Sequence, residues 1–530
     1  MEKVRCQFRF SNRADRSPLS VCFHLKTADG TCWLPEAGPA SGSRHPNLVL
    51  GPDLWSYVGH HTGPHPGRNV IYVLDGEIEF ELAPGRYEAF ISRGFEWEPV
   101  RRTIEVAAHR PNHFEFTLEP ALLARRDGWI NGDVHLHFRR SSHIDSEFWR
   151  RIFAAHDLGM GNVMTYNHGT PDHETTQFAY GHRGEHHHHG GVIASGEEIR
   201  DNDLFGHMTT TGISRIIEPV SVGRQIGLRE NFPYFADFCD RVHRAKGLVG
   251  FAHGGTGGTG NWVIYHSLPV EAALGKLDFL EIIQFNQFLG FPYWYALLNC
   301  GIRLPCVAGS DWPWVVSLSD WHSGIGNDRT FVRTEDGAQD YRSWLDGIRH
   351  GRTFASNGPI LLLQVNGQSP GAELRAPNRK VRVTATAWAA HPLEQLAVVR
   401  NGEVALFCEN AGGRNRLELE GEIAVSRDSW IAARCHGRAE PSATGGVIPW
   451  NLYAHTSPIY VKVDGRGIAD PVDALRMADS VRFIREYARR RGFWKTPRQR
   501  EGYQRLCARA IQFYERIAFA AFRRGRRRTQ

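Results

Sequence analysis

The chain is 530 residues long, 41% hydrophobic and 23% charged, a length for three or four domains and an ordinary globular composition. No run approaches the ~20 consecutive apolar residues of a membrane helix, and Met1–Phe10 lacks the unbroken apolar core of a secretory signal, so no membrane association and a cytoplasmic location are expected. The net charge of +6 belongs to the tail: residues 471–530 carry 17 Lys+Arg against 5 Asp+Glu, which leaves the body acidic and without an electrostatic case for nucleic acid.

Residues 1–125 read as a β-sandwich. Val70–Leu74, Glu77–Leu82 and Arg86–Ile91 alternate with a period of two and are separated by the turn signals Asp75-Gly76 and Pro84-Gly85. From Gly128 short apolar runs alternate with helical stretches such as Phe148–Leu158, Phe232–Lys246 and Tyr293–Gly301, as βα units do, so 126–357 is expected to form a (β/α) barrel. Residues 358–470 return to strands (Lys380–Trp388, Gln395–Val399, Trp430–Cys435) and read as a second sandwich. Residues 471–530 form a basic helical tail, with helices over Val472–Arg491 and Arg500–Arg523. Nine cysteines without a CxxC pair exclude a disulfide framework and a thiolate zinc site.

Chemistry concentrates in the middle region, where 16 of the 27 histidines lie between His135 and His322. Successive predicted strands end in Asp133-Val-His135-Leu-His137, Asn167-His168, Glu197-Glu198, His253-Gly254-Gly255 and Ser310-Asp311. Strand carboxyl ends converge on one face of such a barrel. Histidines and carboxylates gathered there are the ligand set of Zn, Mn or Fe. On a strand, the two histidines of an HxH element point the same way, about 6–7 Å apart, and can grip one ion. The run His186–His189 reads as a solvated polar loop or a lid over the site. Trp312 and Trp314, directly after Asp311, are expected at the pocket mouth, where they would favour an aromatic or apolar substrate group.

The segments Gly132-Asp133-Val-His135-Leu-His137, Asn167-His168, Gly196-x-Glu198, Gly206-His207, Ala252-His253-Gly254-Gly255 and Gly309-Ser310-Asp311 resemble, in order, the PHP (polymerase and histidinol phosphatase) metallohydrolase domain, a distorted (β/α)7 barrel. Gly351–Pro359 and His455–Val461 resemble its CehA/McbA branch, which includes a carbaryl hydrolase. That branch often carries a β domain before the barrel and an Ig-like β domain after it. Ala83-Pro-Gly-Arg-Tyr87 followed by Arg93-Gly94 is similar to transthyretin-like or carboxypeptidase-regulatory-like modules.

The resemblance implies His135 and His137 as the first metal's histidine pair, Glu198 as the bridging carboxylate with Glu197 its rival, and Asp311 closing the first site. His253 and His207 match the second metal's ligands, and His143 with His168 the pair that holds a third ion. Two departures bear on that third ion: the family's Thr-Asp-His reads Tyr166-Asn167-His168, and its Asp-x-His reads Asp311-Trp312-Pro313. His322 is the candidate replacement for the missing histidine.

The expectation is a hydrolase with two or three divalent ions (Zn, Mn or Fe) that uses a metal-bound hydroxide to cleave a carbamate, ester or amide bond of a small molecule with an aromatic or otherwise apolar group. His322, or His207 if it is not a ligand, would donate a proton to the leaving group, Asp133 would orient a ligand, and Arg303 would anchor an anionic group. The alternatives are a PHP-type phosphoesterase and, in a different class, a noncatalytic metal- or ligand-binding protein.

Overall fold

The computed structural model describes residues 3–35, 48–50, 70–121, 128–167, 174–188, 191–224, 229–255, 266–284, 287–312, 325–439 and 450–526. At the N-terminus two sheets face each other. Val4–Asn12 lies between Glu77–Leu82 and Asn112–Leu118, and the second sheet runs Leu48–Leu50, Ile71–Val73, Val21–Thr27, Gly85–Ser92, Val100–Val106, with Cys32–Trp33 paired to Val21–Thr27. The alternation seen in the sequence is the cause: in Gly85–Ser92, Tyr87, Ala89 and Ile91 point inward, and Phe8, Phe10, Phe23 and Phe116 interlock between the layers. The Asp75-Gly76 turn takes positive φ at both residues, and a Cβ at Gly76 would lie 2.6 Å from that of Pro18.

The middle of the chain forms one large curled sheet. Trp129–Leu136, Met160–Asn167 and Gly191–Asp201 are parallel neighbours. Gly206–Thr211 turns back antiparallel on the last of these and on Leu248–Phe251, and Phe279–Gln284 and Cys306–Ala308 continue in parallel. The curl brings the chain after Cys306–Ala308 beside the first strand: Leu136 bridges Trp312, Asp311 N donates to His135 O (2.8 Å), and His137 N donates to Trp312 O (2.8 Å). Gly309 permits this approach, since a Cβ there would meet the His135 Cβ at 2.5 Å. Several strands are buried on both faces, polar residues included.

Helices cover the outside. His143–His156 begins five residues before its predicted start because Ser142 and Asp145 form a capping box. At the other end of the chain, Pro471–Arg491 and Pro497–Arg526 form an antiparallel pair whose buried face (Met477, Val481, Tyr503, Tyr514) packs into the same core as the curled sheet. None of the described helices is long and apolar enough to cross a membrane.

The C-terminal β region has two facing layers, but it is not free-standing. Ile360–Val365, Lys380–Trp388 and Arg416–Ala424 form a separate three-stranded sheet. The opposing layer continues the curled sheet, because Thr353–Ser356 pairs at once with Arg329–Arg333 and with Trp450–Thr456. Strands from both sides of the expected boundary at 357/358 therefore share one sheet. The N-terminal sandwich is also tied in: Arg93 donates to Ala154 O (2.7 Å) and pairs with Asp157 (3.0 Å), whose other oxygen accepts from Trp97 Nε1 (2.9 Å).

Candidate metal centre

Three strands and two turns converge inside the curl. His135 and His137 come from Trp129–Leu136 and the residue after it, Glu198 from Gly191–Asp201, His207 from Gly206–Thr211, and His253 and Asp311 from the turns that follow their strands. All six are buried. Their ligand atoms face one another: His135 Nε2 and His137 Nε2 are 3.1 Å apart, Asp311 Oδ1 lies 3.3 and 2.9 Å from them, and Glu198 Oε2 lies 3.5 Å from His137. The remaining oxygens serve the other two imidazoles. Glu198 Oε1 is 3.1 Å from His207 Nδ1, and Asp311 Oδ2 is 3.3 Å from His253 Nε2. Each carboxylate thus turns one oxygen toward each histidine pair.

These spacings suit metal coordination. A tetrahedral ion with bonds of about 2.0–2.1 Å sets its ligand atoms about 3.3 Å apart. Asp311 Oδ1 and His207 Nδ1 are buried at contact distance from their neighbours yet complete no hydrogen bond of normal geometry among the described residues. Buried polar atoms are rarely left so, and lone pairs aimed at a shared point meet that need with a cation. Buried His/Glu/Asp groups built from these six residues could therefore hold a metal ion. His253 and Asp311 both adopt positive φ (52° each), a costly conformation for non-glycine residues that concentrates at functional sites.

The electrostatics are equally specific. Burial would push the Glu198 carboxyl up, but Arg200 and His207 overcome it and hold Glu198 well below the usual carboxylate range. Asp311 is likewise held low against its burial by His135, His137 and His253. Burial opposes protonation of His135, but Asp311, Glu281 and Glu198 together raise it to about 10. Burial, with Arg200 beside it, drives His207 well below its ordinary value.

Residues around the cluster fix its geometry. Asp133 accepts four hydrogen bonds, at Oδ1 from His135 N and Ser310 N (3.0 Å each) and at Oδ2 from Ser310 Oγ (2.6 Å) and Gly326 N (2.9 Å). It clamps the two ligand-bearing segments together, and its burial raises it to about 6 against those bonds. Four further side chains carried no motif. Glu281 Oε2 lies 3.1 Å from His135 Nδ1, and its Oε1 accepts from Thr209 Oγ1 (2.8 Å). Gln284 Oε1 accepts from His253 N (3.1 Å). Asn202 Oδ1 is 2.5 Å from His207 Nε2. Arg200 reaches Glu198 Oε2 (3.3 Å) and lies over the Tyr166 ring (5.3 Å). The available signal was Glu281 itself, a lone charge in the apolar run Phe279–Gln284.

Other expected site residues are elsewhere. Glu197 points away, its Oε2 accepting from Ile217 N (2.8 Å), as alternation along the strand requires. His143 opens a helix and turns to Phe178 and His186 (ring centroids 4.8 and 6.1 Å) instead of the cluster. Trp312 is not at a pocket mouth: it is 3% exposed and packs on Trp149 and Phe138 (5.6 and 6.5 Å), because the residue after Asp311 projects to the opposite face. Arg303 precedes the Cys306–Ala308 strand, at the end remote from the cluster. It pairs with Glu373, half exposed, and stacks on Tyr460 (4.4 Å). His168, His322 and Trp314 lie outside the described residues.

No family model matches the chain, and no curated protein matches it. Among solved structures, the chain is similar to Endonuclease Q, described as a complex with a 27-mer duplex substrate with an abasic lesion at the active site. The TM-score is 0.23 at 13% identity, over 42% of this chain and 56% of that one, so the match spans about half the length of that protein.

Proposed function

We propose that the chain is a metal-dependent hydrolase of the PHP superfamily, CehA/McbA branch, with the curled sheet as its distorted (β/α)7 barrel and two ions held between the histidine pairs. The observation that carries the reading is the double orientation of Glu198 and Asp311, each with one oxygen toward His135/His137 and one toward His207/His253. A bound divalent ion supplies Lewis acidity, the property that polarises a carbonyl or phosphoryl oxygen and makes water a nucleophile near neutral pH.

The chain's own residues divide the remaining work. Glu198 and Asp311 space the two ligand sets, and Glu281 and Asn202 hold the outward nitrogens of His135 and His207, fixing ring orientation. With Nδ1 at Glu198 and Nε2 at Asn202, His207 serves as a ligand and not as a proton donor. Asp133, occupied by four hydrogen bonds, is a positioning residue. The scissile bond is assigned by the resemblance as a carbamate, ester or amide of a small molecule.

A second reading, phosphoester hydrolysis, is favoured by Arg200. It is buried beside Glu198, and its Nε has no hydrogen-bond partner among the described residues. A guanidinium so placed suits a phosphoryl oxygen.

The test is turnover of aryl carbamate, aryl ester and aryl phosphate panels with added Mn or Zn, beside a Glu198→Ala/His253→Ala variant. Metal-dependent turnover that falls at least 100-fold in the variant is expected. Bound metal with no turnover on any panel would replace the enzyme reading with noncatalytic metal binding.

A further inference from the structure

A second cluster of metal-ligating side chains lies outside the buried centre. We propose that His182, Glu185 and His187 form a separate surface site for a borderline divalent ion, with Zn, Cu or Ni as its class. Glu185 Oε2 is the hub, 3.5 Å from His182 Nδ1 and 3.2 Å from His187 Nε2. These are the separations a tetrahedral ion requires of its ligands, about 3.3 Å, and the three ligand atoms form one group within 4.8 Å. Two imidazoles and one carboxylate select Zn, Cu or Ni over Mg or Ca. The Glu185 side chain is only 18% exposed, and among the described residues its ion-pair partners are these two imidazoles alone.

The site rests on anchored backbone, which separates it from a loose histidine run. The Gly181–Arg183 turn is closed by Gly184 N donating to Gly181 O (2.8 Å) and fastened to the curled sheet by Gly181 N donating to Ile213 O (3.0 Å). Buried Arg140 holds it from beneath through Gly184 O (3.1 Å). His187 is the central residue of a three-residue strand in register with Val192. Alternation along that strand sends its neighbours the other way: His186 Nε2 lies 3.4 Å from Glu147 Oε2, and His188 packs on Phe153 (6.1 Å). Only His187 of the described run joins His182 and Glu185. The three ligands border a groove of about 1010 Å³ that also contains Lys246, Tyr341 and Arg342. Three protein ligands leave a fourth position open toward that groove.

The experiment uses full-length protein, stripped by chelator and titrated with zinc chloride against a chromophoric competitor. A His135→Ala/His137→Ala/Glu198→Ala/His253→Ala background removes four of the six buried ligands and leaves no three-ligand set there. One zinc equivalent should remain there, disappear when His182→Ala/His187→Ala is added, and survive His186→Ala/His188→Ala. No equivalent in the background, or equal loss with either histidine pair, would overturn the proposal, the latter by assigning the metal to loose polyhistidine binding. If the combined variants do not fold, the two histidine pairs are replaced in the otherwise unaltered chain. Bound zinc is then counted by plasma mass spectrometry: a drop of one equivalent for His182→Ala/His187→Ala only supports the site, and no drop refutes it. Because the readout is stoichiometry, it is independent of whether the buried centre catalyses hydrolysis.

Discussion

Glu281 offers the sharpest test of the buried centre, because it touches a proposed ligand only through that ligand's far nitrogen. Glu281→Gln keeps the size and the acceptor for Thr209 Oγ1 and removes one buried negative charge 3.1 Å from His135 Nδ1. A hydrogen bond to a charged group contributes about 1.5–3 kcal/mol against about 1 kcal/mol for a neutral one. The charge therefore accounts for roughly 1–2 kcal/mol of the fixing and polarising of His135, or about 5- to 30-fold in metal affinity at about 1.4 kcal/mol per tenfold. That range agrees with the 10- to 100-fold typical of outer-shell partners of metal-binding histidines. The assay is zinc affinity by chelator competition at pH 7.5, with circular dichroism to confirm that the variant is folded. A folded Glu281→Gln protein that binds zinc within twofold of the parent would refute the assignment of His135 as a ligand supported through Glu281.

Metal removal should lower the first thermal transition. An ion bound to the folded state alone at 100 times its Kd adds about 2.7 kcal/mol, so chelator should depress Tm by several degrees and zinc should restore it, read by scanning fluorimetry. Asp133→Ala would strand four buried donors, each costing about 1–3 kcal/mol when unpaired; a loss of more than 3 kcal/mol in urea unfolding is expected, with loss of bound metal. Glu271 gives a pH dependence that does not involve the centre. Burial raises its carboxyl from 4.5 to about 8, so the folded state keeps a proton that the unfolded chain has released. Its contribution is whole below about pH 4.5, declines by about 1.4 kcal/mol per unit through the window, and is gone above about pH 8. Glu271→Gln should flatten that slope, and subtracting the two urea-derived stability curves from pH 5 to 8 cancels every titrating group they share.

The candidate ligand histidines and carboxylates were legible in the sequence because they lie near or just beyond strand ends, where order along the chain maps onto convergence in space. His135, His137, Glu198, His207, His253 and Asp311 all meet. Of their supports only Asp133, beside the His135/His137 pair, was legible. Glu281 and Gln284 act across gaps of up to 149 residues in sequence, and only the curl of the sheet makes them neighbours of His135, while Asn202 reaches His207 across the local turn between two strands. Trp312 was misjudged for a local reason: adjacency to a ligand says nothing about facing, and the bridge to Leu136 sends its ring into the Trp149 cluster. His143 was displaced by the Ser142/Asp145 capping box, which commits it to a helix start. In the C-terminal β region the strand positions were readable, but Trp450–Thr456 reaches back about a hundred residues to pair with Thr353–Ser356. No local pattern announces such a partner.

That pairing limits how the molecule can be taken apart. Cutting the chain after residue 357 would leave Thr353–Ser356 with a raw edge where Ala454–Thr456 had been hydrogen-bonded, and exposed edges recruit other strands. It would also remove His455, whose ring meets Tyr295 Oη at 2.6 Å in the core beneath the curled sheet. A fragment holding every candidate ligand should therefore be insoluble, and the segment that carries them cannot be grafted onto another scaffold without its C-terminal layer. For an engineer, the transferable unit is the whole sheet from Trp129 to Lys462.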